Sequence, residues 1–238
     1  MSERVFLAGA SGAIGRRLCP LLIADGWQVT GTTRSAEKAD ALRALGVEPV
    51  VVDVFDEPAL RRAVTEARPR LVVHQLTDLP YALDPSRMAE ARARNSHIRE
   101  VGTRHLIGAA IAAGATRLVA QSIAFAYAPG PTPYREEAPL DPSARGVISL
   151  EQQVLGAPLE SIVLRYGRFY GPGTGVDKPP PGGAVHVDAA ADAARRALTR
   201  GRPGIYNVAE NDGTLATERA VHDLAWNPVF RCAGAAPS

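Results

Sequence analysis

Gly9, Gly12 and Gly15 recur at intervals of three, directly behind the apolar run Val5-Phe6-Leu7 and ahead of Ile14, Leu18, Leu21 and Leu22 at helical intervals. A buried strand that turns sharply into a helix needs a residue without a Cβ at the turn, and Gly9 supplies it. Gly12 lets backbone N–H groups approach a pyrophosphate, and Gly15 lets the helix lie close to the sheet. The helix N-terminus adds unpaired N–H donors and the positive end of its dipole. The string in this context predicts a dinucleotide clamp, with Gly9, Ser11, Gly12, Ala13, Ile14 and Gly15 as its contacts.

The end of the next strand, over residues 28–34, decides which dinucleotide is held. Selectivity for NAD usually places an acid there to bind the ribose hydroxyls. This chain has Thr33, Arg34 and Ser35, with no acid until Glu37. A guanidinium grips a 2′-phosphate that a carboxylate would repel, so Arg34 and Ser35 point to NADP. Arg16 either adds to that charge or is a solvated helix residue. A third strand over 49–53 ends in Asp53, followed by Val54. Asp53 either contacts the adenine or caps the following turn.

Strand patterns recur over 70–75, 117–123 and 161–166, with helices between them at 39–45, 57–67, 86–114 and 146–155. Gln75, Leu76 and Thr77, at the end of the fourth strand, should face the nicotinamide half, joined by Gln121, Tyr166 and Gly167. His74, inside an apolar strand, reads as a core histidine rather than a base. The arginine- and glutamate-rich first half of the 86–114 helix reads as a solvated face. Strict alternation of strand and helix predicts an α/β, Rossmann-type doubly wound parallel sheet. Residues 1–170 would form this NADP-binding domain. Residues 171–238 would form a small substrate lobe, with a returning strand near 205–208 and a helix that pack on the main domain.

The 238 residues carry a net charge of +2, with basic and acidic side chains interspersed, which gives no footprint for nucleic acid. Cys19 and Cys232 form no disulfide framework or zinc spacing. No apolar run approaches the ~20 residues of a membrane span, and a strand pattern from about residue 4 leaves no room for a signal peptide, so a cytoplasmic protein is expected.

The glycine string, the fifth strand running through Gln121-Ser122 to Tyr127, the phrase from Leu164 to Gly173, Val185-His186-Val187-Asp188 and the late Gly204-Ile205-Tyr206-Asn207-Val208 together resemble the extended short-chain dehydrogenase/reductases. That group includes the NAD-dependent epimerase/dehydratase family. The resemblance covers nearly the whole chain in order and implies the fold and the cofactor. It also implies a tyrosine acid whose pKa is lowered by a lysine one helical turn later, with a serine or threonine and an asparagine. Here the tyrosine position falls near Ser143, the lysine position near Val147, the hydroxyl position at Ile123 and the asparagine position near Arg99. No lysine lies between Lys38 and Lys178, so no realignment restores the pair. The chain is similar to an atypical member, among them the ketoreductases that tailor angucyclines. The segment 173–185 is short where nucleotide-sugar enzymes of the family carry added structure, and the short helix after residue 143 implies a monomer.

These features point to an NADPH-dependent reductase of a ketone on a small, aromatic polyketide-type substrate. Ser122 and Tyr127 are the candidate catalytic proton donors. Tyr81, Phe125, Arg168 and Phe169 are the candidate substrate contacts, with Arg168 also a charge stabiliser. A phenolic hydroxyl beside the ketone could instead protonate it from within the substrate. Tyr127 equally reads as a packing residue, and Ser122 as a backbone or cofactor contact. The missing tyrosine–lysine pair also fits an NADP-binding redox sensor without catalysis. A nucleotide-sugar epimerase or dehydratase is opposed by Arg34 and the short lobe.

Overall fold

The computed structural model of the protein describes residues 3–232. The chain runs β1 (Arg4–Ala8), α1 (Ala13–Ala24), β2 (Gln28–Thr33), α2 (Ala36–Ala44), β3 (Glu48–Val51), α3 (Glu57–Ala67) and β4 (Leu71–His74). It continues through α4 (Met88–His97), a π-turn at Ile98–Gly102, α5 (Thr103–Ala112), β5 (Arg117–Ile123), α6 (Arg145–Gly156) and β6 (Glu160–Tyr166). Last come β7 (Arg168–Tyr170), β8 (Ala184–His186), α7 (Val187–Ala197), β9 (Gly204–Val208) and α8 (Glu218–Asp223).

The main sheet has seven strands in the order β3-β2-β1-β4-β5-β6-β9, with every pairing parallel. Its strands are apolar on both faces because helices cover both. Side-chain alternation sorts them. Val5, Leu7, Val73, Val119, Ile162 and Leu164 join α1 and α7 in one core, whereas Phe6, Ala8, Val72, Leu118, Ala120 and Val163 join α3, α5 and α6 in the other. The order reverses between β1 and β4, where Ala8 is in register with His74. Ligands of such sheets bind in the crevice beyond the strand ends at this reversal.

The helix expected over 86–114 is broken in its middle by the π-turn, which propensity alone does not announce. The returning strand β9 lies against β6 at the sheet edge, and α7 packs on α1 through Leu18, Leu22, Ala190 and Ala194 in the same core. Away from the sheet, β7 and β8 form a two-stranded parallel pair, and a small apolar cluster of Ala124, Tyr127, Ala209 and Leu215 supports the loops beside it.

Candidate active site

A cleft of about 1670 Å³ opens at the strand ends beside the reversal point. Its floor at one end is the glycine turn. Gly9 has φ +89°, and a Cβ there would stand 2.5 Å from the Gln75 carbonyl oxygen. A Cβ on Gly15 would stand 2.4 Å from the carbonyl oxygens of Gly9 and Ala10, so the first helix can begin here only without one. A Cβ on Gly12 would meet only the Gly9 oxygen, at 3.3 Å, and would otherwise fill open space above the α1 N-terminus. A turn of this shape suits a pyrophosphate. Threonines of β2 fix the turn: Gly9 N–H donates to Thr32 Oγ1 at 3.0 Å, and Ser11 Oγ donates to Thr33 Oγ1 at 3.1 Å.

Ser11, Ala13, Ile14, Arg16, Arg34 and Ser35 all line this end of the cleft, as does Lys38, which the sequence reading did not single out. Arg34 forms a fork with Asp78, Nη2 to Oδ1 at 3.0 Å and Nη1 to Oδ2 at 3.5 Å. Arg94 Nε reaches the same carboxylate at 2.9 Å. Hydrogen bonds from Arg34, and secondarily from Arg94, hold the Asp78 carboxyl below its usual range. Asp53 lies in the wall and accepts the Phe55 N–H at 3.0 Å, so the capping alternative describes one of its oxygens. Val54, Gln75, Leu76, Thr77, Gln121 and Gly167 line the cleft as well. A Cβ on Gly167 would meet the Gly183 carbonyl oxygen at 2.3 Å, so this glycine lets the β8 loop close in.

Tyr166 differs from its expected place. Its side chain points to the α1 and α7 face, fully buried, and its hydroxyl donates to the Ala190 carbonyl at 3.1 Å. Strand parity is the reason: Tyr166 shares a face with Ile162 and Leu164.

At the reaction end, Phe125, Arg168 and Phe169 meet in the cleft wall, with the Arg168 guanidinium 4.6 Å over the Phe125 ring. Tyr81 opens a 3-10 turn, and its side chain lies outside what the structure describes. The two candidate proton donors are turned away. Ser122 is buried facing α6 and donates to Glu151 Oε1 at 2.6 Å. Tyr127 presents part of its ring to the cleft, but its hydroxyl donates to Asn207 Oδ1 at 2.7 Å and accepts from Arg165 Nη1 at 2.8 Å. Burial raises the Tyr127 pKa, partly offset by Arg165. Both hydroxyls belong to a buried network centred on the bidentate Arg165–Glu151 pair, with Nη2 to Oε2 at 2.6 Å and Nε to Oε1 at 2.9 Å.

What lines the cleft at the family's relay positions is Ile123, Ser143 and Val147, with Arg99 near the asparagine position. His74 is fixed as a neutral imidazole. Its Nδ1 accepts the Leu76 N–H, so Nε2 carries the proton toward Thr103 Oγ1 at 2.9 Å, and burial lowers its pKa to about 4. Sequence reasoning missed Arg92, Asn95 and Ser96 as cleft residues, and it considered Arg99 only as part of a solvated helix face and as an alignment position. Loops 77–86 and 171–183 both border the cleft and meet where a Cβ on Gly175 would stand 2.6 Å from Ala82 Cβ.

Among the described residues, no group of three or more histidine, cysteine, aspartate or glutamate side chains is arranged to hold a metal ion, and no helix is long and apolar enough to cross a membrane. The chain matches a family described as NAD(P)H-binding over residues 9–200. It is 40% identical over 248 residues to a 3-diazoavenalumate denitrifying reductase of a Streptomyces species, covering 92% of this chain and 80% of that one. Over 58% of this chain and 40% of the relative it is 34% identical to a dTDP-4-dehydrorhamnose reductase of Streptomyces griseus. Its fold is similar to UDP-glucose 4-epimerase of Thermotoga maritima, with a TM-score of 0.79 at 18% identity over 96% of this chain and 94% of that one. It is likewise similar to the UDP-glucose 4-epimerase of Thermus thermophilus in complex with NAD, with a TM-score of 0.70 at 23% identity over 94% and 84%. The glycine turn, the reversal point and these relationships agree: the chain belongs to the NAD(P)H-binding family.

Proposed function

We propose that the protein is an NADPH-dependent reductase of a small aromatic electrophile whose reduction takes no proton from a protein side chain. One observation carries this reading: at the cleft the family's tyrosine and lysine positions hold Ser143 and Val147, an ordinary alcohol with no lysine a turn later to acidify it, while the nearby Ser122 and Tyr127 hydroxyls are committed to Glu151 and Asn207. When bound, NADPH supplies the hydride. Arg34 and Ser35, just beyond β2, and Lys38 in the first turn of α2 favour the 2′-phosphorylated cofactor over NAD. The chain's remaining work is to hold the acceptor flat beside Ile123, Val147 and Phe125 and to keep water out.

Acceptors differ in what they need after hydride arrives. A ketone becomes an alkoxide and must take up a proton, R₂C=O + H⁻ + H⁺ giving R₂CHOH. An arenediazonium needs none: Ar–N₂⁺ + H⁻ gives Ar–N=NH, which loses N₂ and leaves Ar–H. The relative at 40% identity is named for denitrifying a diazo compound, and that chemistry suits a cleft without a proton relay. A ketone with a phenolic hydroxyl beside it is the second reading. The exposed Leu79, Leu83 and Phe125 favour it, because they give the cleft an apolar mouth fit for fused rings.

NADPH oxidation with an arenediazonium salt and with a panel of 2-hydroxyaryl ketones tests this. The expected result is one N₂ released for each NADPH consumed. Oxidation by ketones alone would replace the first acceptor with the second. Tight NADPH binding with no oxidation by either class would sink the reductase and favour a redox sensor.

A further inference from the structure

The reaction end of the cleft holds positive charge that nothing described there neutralises. Arg92, Arg99, Arg145 and Arg168 line it, and Asp141 is the one described acid in the same wall. The Asp141 carboxylate is engaged with the Ser143 N–H at 2.8 Å. Arg99 is the innermost of the four. It lies in the π-turn between α4 and α5, where one extra residue rotates the following side chains by about 100° relative to an unbroken helix. At its back, Ser96 meets α6 so closely that a Cβ on Gly146 would stand 2.4 Å from Ser96 Oγ.

Arg99 is partly buried, yet among the described residues its guanidinium makes no hydrogen bond and no ion pair. The contrast with other sheltered arginines is direct. Arg165 has Glu151, and Arg117 has Glu160 and three carbonyl oxygens of the α7 to β9 connection. The nearest negative charge felt by Arg99 is Glu151, whose oxygens are already taken by Arg165 and Ser122. His74, on its other side, is neutral. Burial without a partner holds the Arg99 guanidinium below the usual arginine range. A guanidinium removed from water is costly until an anion meets it, and its planar fork matches a carboxylate or a phenolate.

We propose that Arg99 forms an anion subsite at the reaction end of the cleft, so that the substrate is an aromatic acid whose carboxylate sits on this guanidinium. Arg92 and Arg168 at the rim draw the anion in, and Arg99 fixes its position. This deepens the reductase reading by naming the charge of its substrate, and it rests on that reading for the word substrate alone. The subsite itself is a binding property that needs no turnover.

The test compares 4-hydroxycinnamate with its uncharged amide, each titrated calorimetrically into the protein saturated with NADP⁺. The acid is expected to bind at least tenfold more tightly than the amide, and R99Q is expected to bring the two within about threefold. R168Q, at the exposed rim, should keep most of the preference. Retained NADP⁺ affinity certifies that R99Q is folded, and R99M replaces it if that affinity is lost. Equal binding of acid and amide to the native chain, or an undiminished preference in R99Q, overturns the subsite. If the preference follows Arg99 while no acceptor oxidises NADPH, the reductase reading falls and the subsite stands. If diazonium salts with and without a carboxylate turn over equally well, the reverse holds.

Discussion

The two ends of the cleft are built on opposite plans. At the glycine end the lining is backbone: glycines without a Cβ, the first N–H groups of α1, and threonine hydroxyls that brace the turn from below. At the other end Ser122, Glu151 and Arg165 turn their backs on the cleft and, with the Tyr127 hydroxyl, bond to one another, leaving a wall of apolar side chains and arginines with few other polar groups. The first plan makes a binding site whose geometry is fixed by the fold itself. The second commits the Ser122 and Tyr127 hydroxyls to the protein interior, as the proposed reaction requires. A network of this kind is a structural device, so its loss should appear in stability, whereas damage to the glycine end should appear in cofactor affinity.

The sharpest way to break that contrast is Glu151→Gln. It leaves the buried Arg165 guanidinium without its counter-charge, which typically costs about 3–5 kcal/mol. Denaturant unfolding should show that loss, while NADPH affinity of the folded fraction stays within about twofold. Should affinity collapse with stability retained, the network would belong to the site and the division into two plans would be wrong.

His74 adds a pH dependence from the same end. Its folded pKa is near 4, below the 6.5 of the unfolded chain. The unfolded state therefore binds the extra proton across that interval. The histidine's contribution, ~3 kcal/mol, is complete above about pH 6.5 and declines as the pH falls toward 4. Unfolding free energies measured at steps between pH 7 and 4.5 should decline accordingly, and His74→Gln should flatten the slope by close to one proton. An unchanged slope in the variant would place the titrating group elsewhere.

At the glycine end, Gly15 and Gly12 separate fold from ligand. Gly15→Ala drives a methyl to 2.4 Å from two carbonyl oxygens, and overpacking of this kind costs about 1–3 kcal/mol, so the melting temperature should drop. Gly12→Ala meets no such wall. It should melt like the native chain while losing roughly tenfold or more in NADPH affinity, because the methyl occupies the phosphate's place. If both variants melted alike and bound alike, the cradle would not be where the cofactor sits.

Arg34 carries a smaller effect. Its fork is shared with Asp78, so the gain from a 2′-phosphate is offset by the ion pair it must give up. Arg34→Ala should narrow any preference for NADPH over NADH by about tenfold, within the ~1.5–3 kcal/mol of a charged hydrogen bond. Asp78→Asn, which frees the guanidinium, should widen it. Opposite signs from the two variants would establish the 2′-phosphate site, and equal preferences throughout would remove it.

The division between the two ends also explains what could be read in advance. A strand, three glycines and a helix are local in the chain, so the clamp and the strands around it are legible from spacing alone. Ser122 and Tyr166 were placed at the correct strand ends, but on the cleft side of those strands. Which face a residue takes as a strand leaves the sheet depends on parity against its neighbours, and one position reverses it. The fate of the Tyr127 hydroxyl depends on Asn207 and Arg165, far along the chain, which no spacing connects. Arg92 and Arg99 looked like a solvated helix face because the π-turn that brings Arg99 to the cleft leaves no pattern in residue types.

The smallest predicted effects are the most informative about the reaction. Ser122→Ala removes one hydrogen bond from a sealed network and Tyr127→Phe removes two, each worth about 1 kcal/mol, somewhat more where the partner is charged. If the acceptor takes its proton from a protein hydroxyl, either change would lower kcat by the 10²–10⁴-fold typical of general acid catalysis. The geometry argues otherwise, since Ser122 Oγ donates to Glu151 and Tyr127 donates to Asn207, and neither hydrogen is aimed into the cleft. Both variants should therefore keep kcat within about threefold, with a modest loss of melting temperature as the only trace. Tyr127→Phe is the stricter of the two, because its ring still fills the cleft wall and only the acid is removed. A large fall in kcat in that variant, with NADPH affinity intact, would show that the network opens during turnover and that the reaction end is not a proton-free surface.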